Sequence, residues 1–227
     1  NWISAYLMSK LNPQQFIQML RDFGINSPDI HASMSLCLGP CEVSVSEMVS
    51  AYTAFANHGI RTSPMFVSRI EDNEGNTLAT FQPRMNEVIG AENAMKMLTM
   101  LMGVVDGGTA GRLRYRYNLE GQIGAKTGTT NNNSDGWFIG FTPQLVSGCW
   151  VGGEERDIHF DSMSMGQGAT MALPIWAIFM KKVYADPTLG IRPDVKFDLP
   201  DGYNPCYKPK SDQDDFEQVD GIDEVFE

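Results

Sequence analysis

Residues 124–141 read Gly-Ala-Lys-Thr-Gly-Thr-Thr-Asn-Asn-Asn-Ser-Asp-Gly-Trp-Phe-Ile-Gly-Phe. Their pattern predicts one strand over residues 123–130 and another over residues 136–141, joined by an asparagine-rich turn. A further strand is predicted over residues 145–152 after a second short turn. Strands joined by such short loops are antiparallel neighbours, so this stretch predicts an antiparallel meander.

Helical patterns surround the meander. Apolar spacing and helix-terminal residues predict helices over residues 2–11, from Asn12-Pro13 to before Gly24, from the capping box Ser44-Val-Ser-Glu47 to Asn57-His-Gly59, over 91–105 and over 173–184. Residues 66–70 and 77–81 predict two more strands around a turn. Helices, then a meander, then a closing helix predict an α+β domain with helices flanking an antiparallel sheet.

The composition excludes several classes of protein. The chain has 227 residues, of which 42% are hydrophobic and 20% charged, as in a globular protein with a sizeable core. No stretch approaches the roughly 18 consecutive apolar residues that a membrane span requires. The net charge of −11 is concentrated in residues 211–227, which hold eight acids and no Lys or Arg. Nucleic acid is therefore not an expected partner, and the basic run at 112–117 is interpreted as a solvated strand or loop.

Cysteines and histidines are too few and too scattered for a disulfide scaffold or a metal site, so no metal or cofactor is expected. Cys37 and Cys41 can form a disulfide in an oxidising compartment, although buried free thiols are the favoured interpretation. The change in composition divides the chain into a body, residues 1–190, and an acidic tail containing Pro and Gly, residues 191–227.

The chemistry of the chain centres on Lys126-Thr127-Gly128-Thr129. A phosphate-binding P-loop is excluded, because Ala125 and not Gly precedes the lysine, and asparagines rather than a helix follow. Two interpretations are then open. Most chance occurrences of Lys-Thr-Gly are plain exposed strand, and the functional alternative is the Lys-Thr-Gly element of serine acyltransferases that react with penicillin.

Each residue of this element has a chemical role in that interpretation. An edge strand offers its backbone to an extended peptide, and Gly128 lets the substrate backbone approach closely. Lys126 places a positive charge beside the nucleophile, where it assists proton transfer. The hydroxyls of Thr127 and Thr129 lie on one face of the strand and bind a carboxylate. The backbone N–H just past Gly128 supplies half an oxyanion hole.

Residues 126–141 as a whole closely resemble the transpeptidase domain of class A penicillin-binding proteins. The resemblance extends over roughly residues 1–184, in the family's order and spacing, and includes Cys37-Leu-Gly, residues 47–59, Gly107-Gly-Thr-Ala110 and Leu173-Pro-Ile-Trp176. It implies the fold shared with serine β-lactamases. It also implies a periplasmic enzyme in which a serine attacks the D-Ala-D-Ala stem peptide of peptidoglycan, releases D-Ala and passes the acyl group to a neighbouring stem. Penicillin and other β-lactams would acylate the same serine.

Two of the family's three motifs are not found in this sequence. No lysine has a serine three positions before it, and no asparagine has a serine two positions before it. The resemblance identifies Asn1 as the asparagine of the family's Ser-x-Asn motif, so the nucleophile, a glycosyltransferase domain and a membrane anchor are expected upstream. The expected catalytic residues are then Lys126 and Asn1, with Thr127, Gly128 and Thr129 binding substrate. The chain alone is expected to be inactive and to require the N-terminal part of its own domain as a partner.

Two alternatives stay open at the level of sequence. One is a non-catalytic pseudo-enzyme or interaction module, which the upstream motifs would distinguish. The other is a hydrolase of the same fold, either a D,D-carboxypeptidase or a β-lactamase, which product analysis would distinguish. The run Lys-Thr-Gly-Thr-Thr-Asn-Asn-Asn is more similar to the cross-linking class.

Overall fold

Helices and short strands alternate along residues 2–203, the part of the chain that the computed structural model describes. The strands of this part are β1 (Ile60–Thr62), β2 (Arg69–Glu71), β3 (Thr77–Thr80), β4 (Met85–Glu87), β5 (Gly124–Thr129), β6 (Asp135–Phe141) and β7 (Val146–Gly152). Its α-helices are α1 (Trp2–Ser9), α2 (Pro13–Asp22), α3 (Val45–Ala56), α4 (Ala91–Asp106), α5 (Arg112–Tyr115), α6 (Met163–Gly166), α7 (Gly168–Met171) and α8 (Leu173–Ala185).

The predicted meander forms the central sheet, in the order β5-β6-β7 with both pairs antiparallel. In its register Gly128 lies opposite Trp137, and Trp137 lies opposite Trp150. Two small ribbons, β1–β4 and β2–β3, lie outside this sheet. The predicted hairpin corresponds to β2–β3, although β2 begins only at Arg69. The α+β prediction is thus confirmed.

The predicted helices form where their terminal residues place them. The side chain of Asn12 caps α2, accepting from the N–H of Gln14 at 2.9 Å. The capping box of Ser44 and Glu47 is complete at the start of α3. In α4, the buried residues recur at helical spacing, namely Ala94, Leu98, Leu101 and Val105.

The prediction of a strand or loop at residues 112–117 is wrong for Arg112–Tyr115, which form the short helix α5, whereas Tyr115 and Arg116 are exposed as predicted. Leu113 anchors this helix in the core with no exposed surface. The guanidinium of Arg112 donates to Ala169 O at 3.2 Å, and that of Arg114 pairs with Asp106 at 2.9 Å. Two of the three arginines of this run therefore make contacts within the protein.

Helices cover both faces of the central sheet. On one face Phe138 packs on Trp176 of α8, whose indole N–H donates to Ser147 Oγ at 2.7 Å. On the other face Phe141 lies beside Tyr52 of α3, with ring centroids 6.3 Å apart. Burial raises the pKa of Tyr52 to about 12. Because both faces are covered, a ligand has access to the sheet at its edges.

Some residues beyond the predicted boundary at 190 pack against the rest of the protein. The division into a body, residues 1–190, and a tail, residues 191–227, stays a prediction. Phe197 is buried against Phe141, and its backbone N–H donates to Gln122 Oε1 at 2.7 Å. Residues 204–227, with most of the acidic tail, lie outside the described residues. Within residues 2–203, Cys37 and Cys41 are free, as the favoured interpretation has them, but they are half-buried and not buried. No helix of this part is long and apolar enough to cross a membrane, and no group of its His, Cys, Asp and Glu side chains is arranged to hold a metal ion.

The capping box gives a first testable prediction, on stability. Glu47 accepts from the N–H of Ser44 at 2.8 Å and from the N–H of Asn26 at 2.9 Å, so it holds both the start of α3 and a loop 21 residues away. Burial raises the pKa of Glu47, but these hydrogen bonds outweigh burial and the net pKa lies below the ordinary value of 4.5. Glu47→Ala should lower the free energy of unfolding by about 1 kcal/mol at pH 7.

The sign of the pH dependence follows from the lowered pKa. A carboxyl with a depressed folded-state pKa stabilises the fold fully above 4.5, and this stabilisation is lost as the pH falls through the folded-state value. Chemical unfolding of wild type and Glu47→Ala should therefore give midpoints that converge below pH 4.5. Glu74→Ala, in an exposed turn, is the matched control and should leave the midpoint unchanged. Equal midpoints for wild type and Glu47→Ala at pH 7 would contradict the prediction.

Candidate active site

The four site residues predicted on Lys-Thr-Gly-Thr lie together on β5, which is an edge strand. Its outer edge has no strand partner within residues 2–203. The N–H of Thr130 donates to Asp135 O at 3.3 Å, on the β6 side. Since backbone groups of an antiparallel strand alternate in direction, those of Thr127 and Thr129 face the outer edge. This edge can therefore accept an extended peptide.

The ammonium of Lys126 is held at the same edge. Its Nζ donates to Thr127 O at 2.7 Å, one of the outward-facing carbonyls, and its side chain is exposed. Alternation along β5 places the Lys126 side chain on the opposite face from Thr127 and Thr129. The strand therefore presents a cation on one side of its free edge and two hydroxyls on the other.

Thr127 is in contact with Thr109, a residue for which the motifs predicted no role. Its Oγ1 lies 2.9 Å from Oγ1 of Thr109, in the loop between α4 and α5. This loop is the segment Gly107-Gly-Thr-Ala110, one of the stretches that carry the family resemblance. The family resemblance of this segment was the one feature of the sequence that could have indicated a functional loop. Nothing in the sequence indicated that the loop reaches β5.

Thr129 is oriented by the first residue of α7. The N–H of Gly168 donates to Thr129 Oγ1 at 3.1 Å. A Cβ on Gly168 would lie 2.2 Å from Gly128 O and 2.5 Å from Trp137 O, so any side chain here would strike the backbone of both strands. No motif in the sequence indicated this role of Gly168.

Gly128 is required by the packing of the sheet itself. A Cβ at this position would lie 2.9 Å from the Cβ of Trp137, its cross-strand partner. The close packing against Trp137 therefore favours glycine at position 128 whether or not a ligand binds. Its predicted part in substrate binding stays a prediction.

The asparagine run after β5 makes the tight turn that the sequence predicts. Asn132 and Asn133 have φ values of 61° and 56°, in the left-handed region that asparagine tolerates better than most residues. The side-chain amide of Asn133 donates to Phe160 O at 3.2 Å, which ties the loop after β7 to the end of β5. The turn therefore holds the loop around Phe160 next to the end of β5.

Asn1, the second predicted catalytic residue, lies outside the described residues, so its role stays a prediction. The helix that follows it, α1, packs against the 3-10 turn Met34–Leu38. It leaves large apolar side chains exposed, with Trp2 at 76%, Ile3 at 77% and Leu7 at 57% of their full area.

A family model described as penicillin binding protein transpeptidase domain matches residues 1–147, which include β5, β6 and the Thr109 loop. The chain belongs to this transpeptidase family. The resemblance inferred from the Lys-Thr-Gly region is thereby confirmed. The transpeptidase-family match also contains Asn1 and ends at the start of β7.

Curated relatives of this transpeptidase-family chain include penicillin-binding protein 1A of Neisseria meningitidis, which is 33% identical over 187 residues. The match covers 80% of the chain and 23% of that relative. Penicillin-binding protein 1A of Aquifex aeolicus is 32% identical over 200 residues, covering 88% of the chain and 26% of the relative. The chain thus spans about a quarter of the length of these curated relatives.

Solved structures support the same fold. The crystal structure of penicillin-binding protein 1A from Haemophilus influenzae matches with a TM-score of 0.76 and 25% identity, over 88% of this chain and 34% of the other. PonA1 of Mycobacterium tuberculosis in complex with penicillin V matches with a TM-score of 0.67 and 25% identity, over 79% of this chain and 52% of the other. The central sheet and its helices are therefore those of the transpeptidase fold.

Proposed function

We propose that the chain forms the Lys-Thr-Gly side of a peptidoglycan D,D-transpeptidase site. The observation that carries this proposal is the free outer edge of β5, where a lysine ammonium, two threonine hydroxyls and outward-facing backbone groups lie within four consecutive residues. Backbone groups suit an extended stem peptide, hydroxyls suit its terminal carboxylate, and the ammonium suits both proton transfer and anion binding.

The residues of β5 would act together on one bound peptide. The D-Ala-D-Ala end of the stem lies along the outer edge, its carboxylate accepting from Thr127 and Thr129. The N–H of Thr129 donates to the carbonyl oxygen under attack. A serine Oγ bonds to that carbonyl carbon, the peptide bond breaks, and the terminal D-Ala leaves as an amine with the serine's proton. An amine of a second stem then displaces the serine and restores its hydroxyl, and Lys126 assists the proton transfers.

We further propose that the nucleophilic serine is supplied from outside these 227 residues, because no Ser-x-x-Lys occurs in them. Asn1 would complete the hydroxyl network from the start of α1. The exposed apolar side chains of Ile3 and Leu7, one helical turn apart on α1, support a remaining part of the same domain as partner. The working protein would then be a membrane-anchored enzyme acting at the extracytoplasmic face of the inner membrane, with a glycosyltransferase segment.

Product analysis on the full-length protein tests this function. Incubated with a pentapeptide stem donor and an amine acceptor, the protein should release D-Ala and form a cross-linked dimer, and penicillin should block both. Release of D-Ala without dimer would indicate the carboxypeptidase alternative, and multiple turnover of penicillin would indicate the β-lactamase alternative. No reaction with stem peptide or penicillin would support the interaction module and overturn the proposal.

A further inference from the structure

We propose that Thr109, in the loop between α4 and α5, is a positioning residue for carboxylate recognition. Its hydroxyl donates to Thr127 Oγ1 and so turns the Thr127 proton toward the carboxylate of a bound substrate or β-lactam. The contact that supports this is the 2.9 Å separation of the two Oγ1 atoms. The inference rests on the proposed function of β5 as the carboxylate-binding edge.

The direction of this hydrogen bond follows from counting protons. A threonine hydroxyl has one proton to donate and two lone pairs to accept with, whereas an ionised carboxylate only accepts. When Thr127 donates to a carboxylate, it has no second proton for Thr109. The bond between the two hydroxyls is then made only with Thr109 as donor. Without Thr109, no donor would occupy a lone pair of Thr127 Oγ1, and the direction of the Thr127 proton would not be fixed.

The neighbouring threonine is oriented by a donor of fixed direction. Thr129 Oγ1 accepts from the backbone N–H of Gly168 at 3.1 Å, and a backbone N–H cannot exchange roles. The single proton of Thr129 is thus left for a ligand. The side-chain hydroxyl of Thr109 therefore donates to Thr127 Oγ1, just as the backbone N–H of Gly168 donates to Thr129 Oγ1. Both threonines project from the same face of β5, so both protons serve one ligand group.

The loop that carries Thr109 is fixed by its own backbone. The N–H of Ala110 donates to Val104 O at 3.0 Å, and Ala110 has no exposed surface. A Cβ on Gly108 would lie 2.8 Å from Val104 Cα, so the chain passes close to the end of α4. The Thr109 side chain is exposed, and the backbone on either side of it is held in place by these contacts.

The two orienting donors are also tied to each other. Arg112, three residues after Thr109, donates from Nη1 to Ala169 O at 3.2 Å and to Thr170 Oγ1 at 3.0 Å. These acceptors lie in α7, directly after Gly168. The Thr109 loop and the start of α7 thus form one unit behind the two hydroxyls.

The test compares a penicillin with its methyl ester in the full-length protein, measuring the second-order rate of acylation. Thr109→Val keeps the shape and removes the donor, so acylation by the free acid should slow about five- to tenfold, the typical value of one hydrogen bond. Acylation by the ester should change less than twofold, since the ester has no ionised carboxylate. Thr109→Ser retains the hydroxyl and should react like wild type.

Further variants separate orientation from general damage. Thr127→Val should reduce the preference for the acid at least as much as Thr109→Val does, and Thr109→Val added to it should cause no further loss. Thr80→Val, on the exposed strand β3, is the matched control and should leave both rates unchanged. Equal slowing of acid and ester in Thr109→Val would overturn the inference in favour of a merely structural role, as would an unchanged preference for the acid. Wild type that reacts with neither compound would overturn the proposed function itself, and the inference with it.

Discussion

Replacing Lys126 with alanine in the full-length protein is expected to slow acylation by penicillin by about 10²–10⁴-fold, the usual contribution of a positioned proton-transfer group. The ammonium donates to Thr127 O at 2.7 Å and is thereby held at the free edge of β5. Truncation removes both the charge and the proton carrier from the position where the serine and the substrate would meet. The measurement is the time course of labelling by a fluorescent penicillin.

A second substitution at the same position separates the two functions of Lys126. Lys126→Arg keeps the positive charge, but a guanidinium does not give up its proton in proteins. A role in proton transfer predicts that Lys126→Arg is nearly as slow as Lys126→Ala, whereas a purely electrostatic role predicts partial rescue. Lys181→Ala, on the exposed side of α8, is the control and should label like wild type. Labelling of Lys126→Ala within twofold of wild type would contradict the assignment.

Gly168→Ala is expected to destabilise the fold by about 1–3 kcal/mol, the typical cost of overpacking a closely packed site. The added Cβ would lie 2.2 Å from Gly128 O and 2.5 Å from Trp137 O. Both are backbone atoms of the central sheet, so neither can turn away as a side chain would. The start of α7 would have to move, and the 3.1 Å hydrogen bond from Gly168 N–H to Thr129 Oγ1 would be lost.

The matched control for this variant is Gly103→Ala, in the interior of α4, where an added Cβ meets nothing within 4 Å. Alanine is the better helix former, so this change should stabilise the protein by about 0.5–1 kcal/mol. In chemical unfolding, the midpoint of Gly168→Ala should therefore fall below that of wild type, and the midpoint of Gly103→Ala should rise above it. A midpoint for Gly168→Ala at or above that of wild type would show that α7 is not packed on β5 as described.

The parts of the fold that were predictable are those with strong local signals. Short turns made β5, β6 and β7 antiparallel neighbours, and the capping box located the start of α3 to the residue. The ribbon β1–β4 could not be predicted, because strands of three residues have no periodicity to detect. Helix α5 was missed because its arginines indicated solvent, while its single buried residue, Leu113, has too little context to indicate a helix.

The site divides in the same way between local and distant residues. Lys126, Thr127 and Thr129 share one strand, so a motif of consecutive residues was sufficient to bring them together. Thr109 and Gly168 reach that strand from 18 and 39 residues away through the packing of α4 and α7. No pattern in the sequence sets such distances, and the orientation of the two threonine hydroxyls therefore became visible only in the structure.

The location of the acylated residue tests most directly whether β5 works with a serine from outside this chain. The full-length protein is incubated with penicillin, digested and mapped by mass spectrometry, and the isolated 227-residue chain is treated in parallel. We expect a single adduct on a serine outside residues 1–227 and an unchanged mass for the isolated chain. An adduct on any residue within 1–227, in either sample, would show that the nucleophile belongs to this chain and would overturn the proposed function.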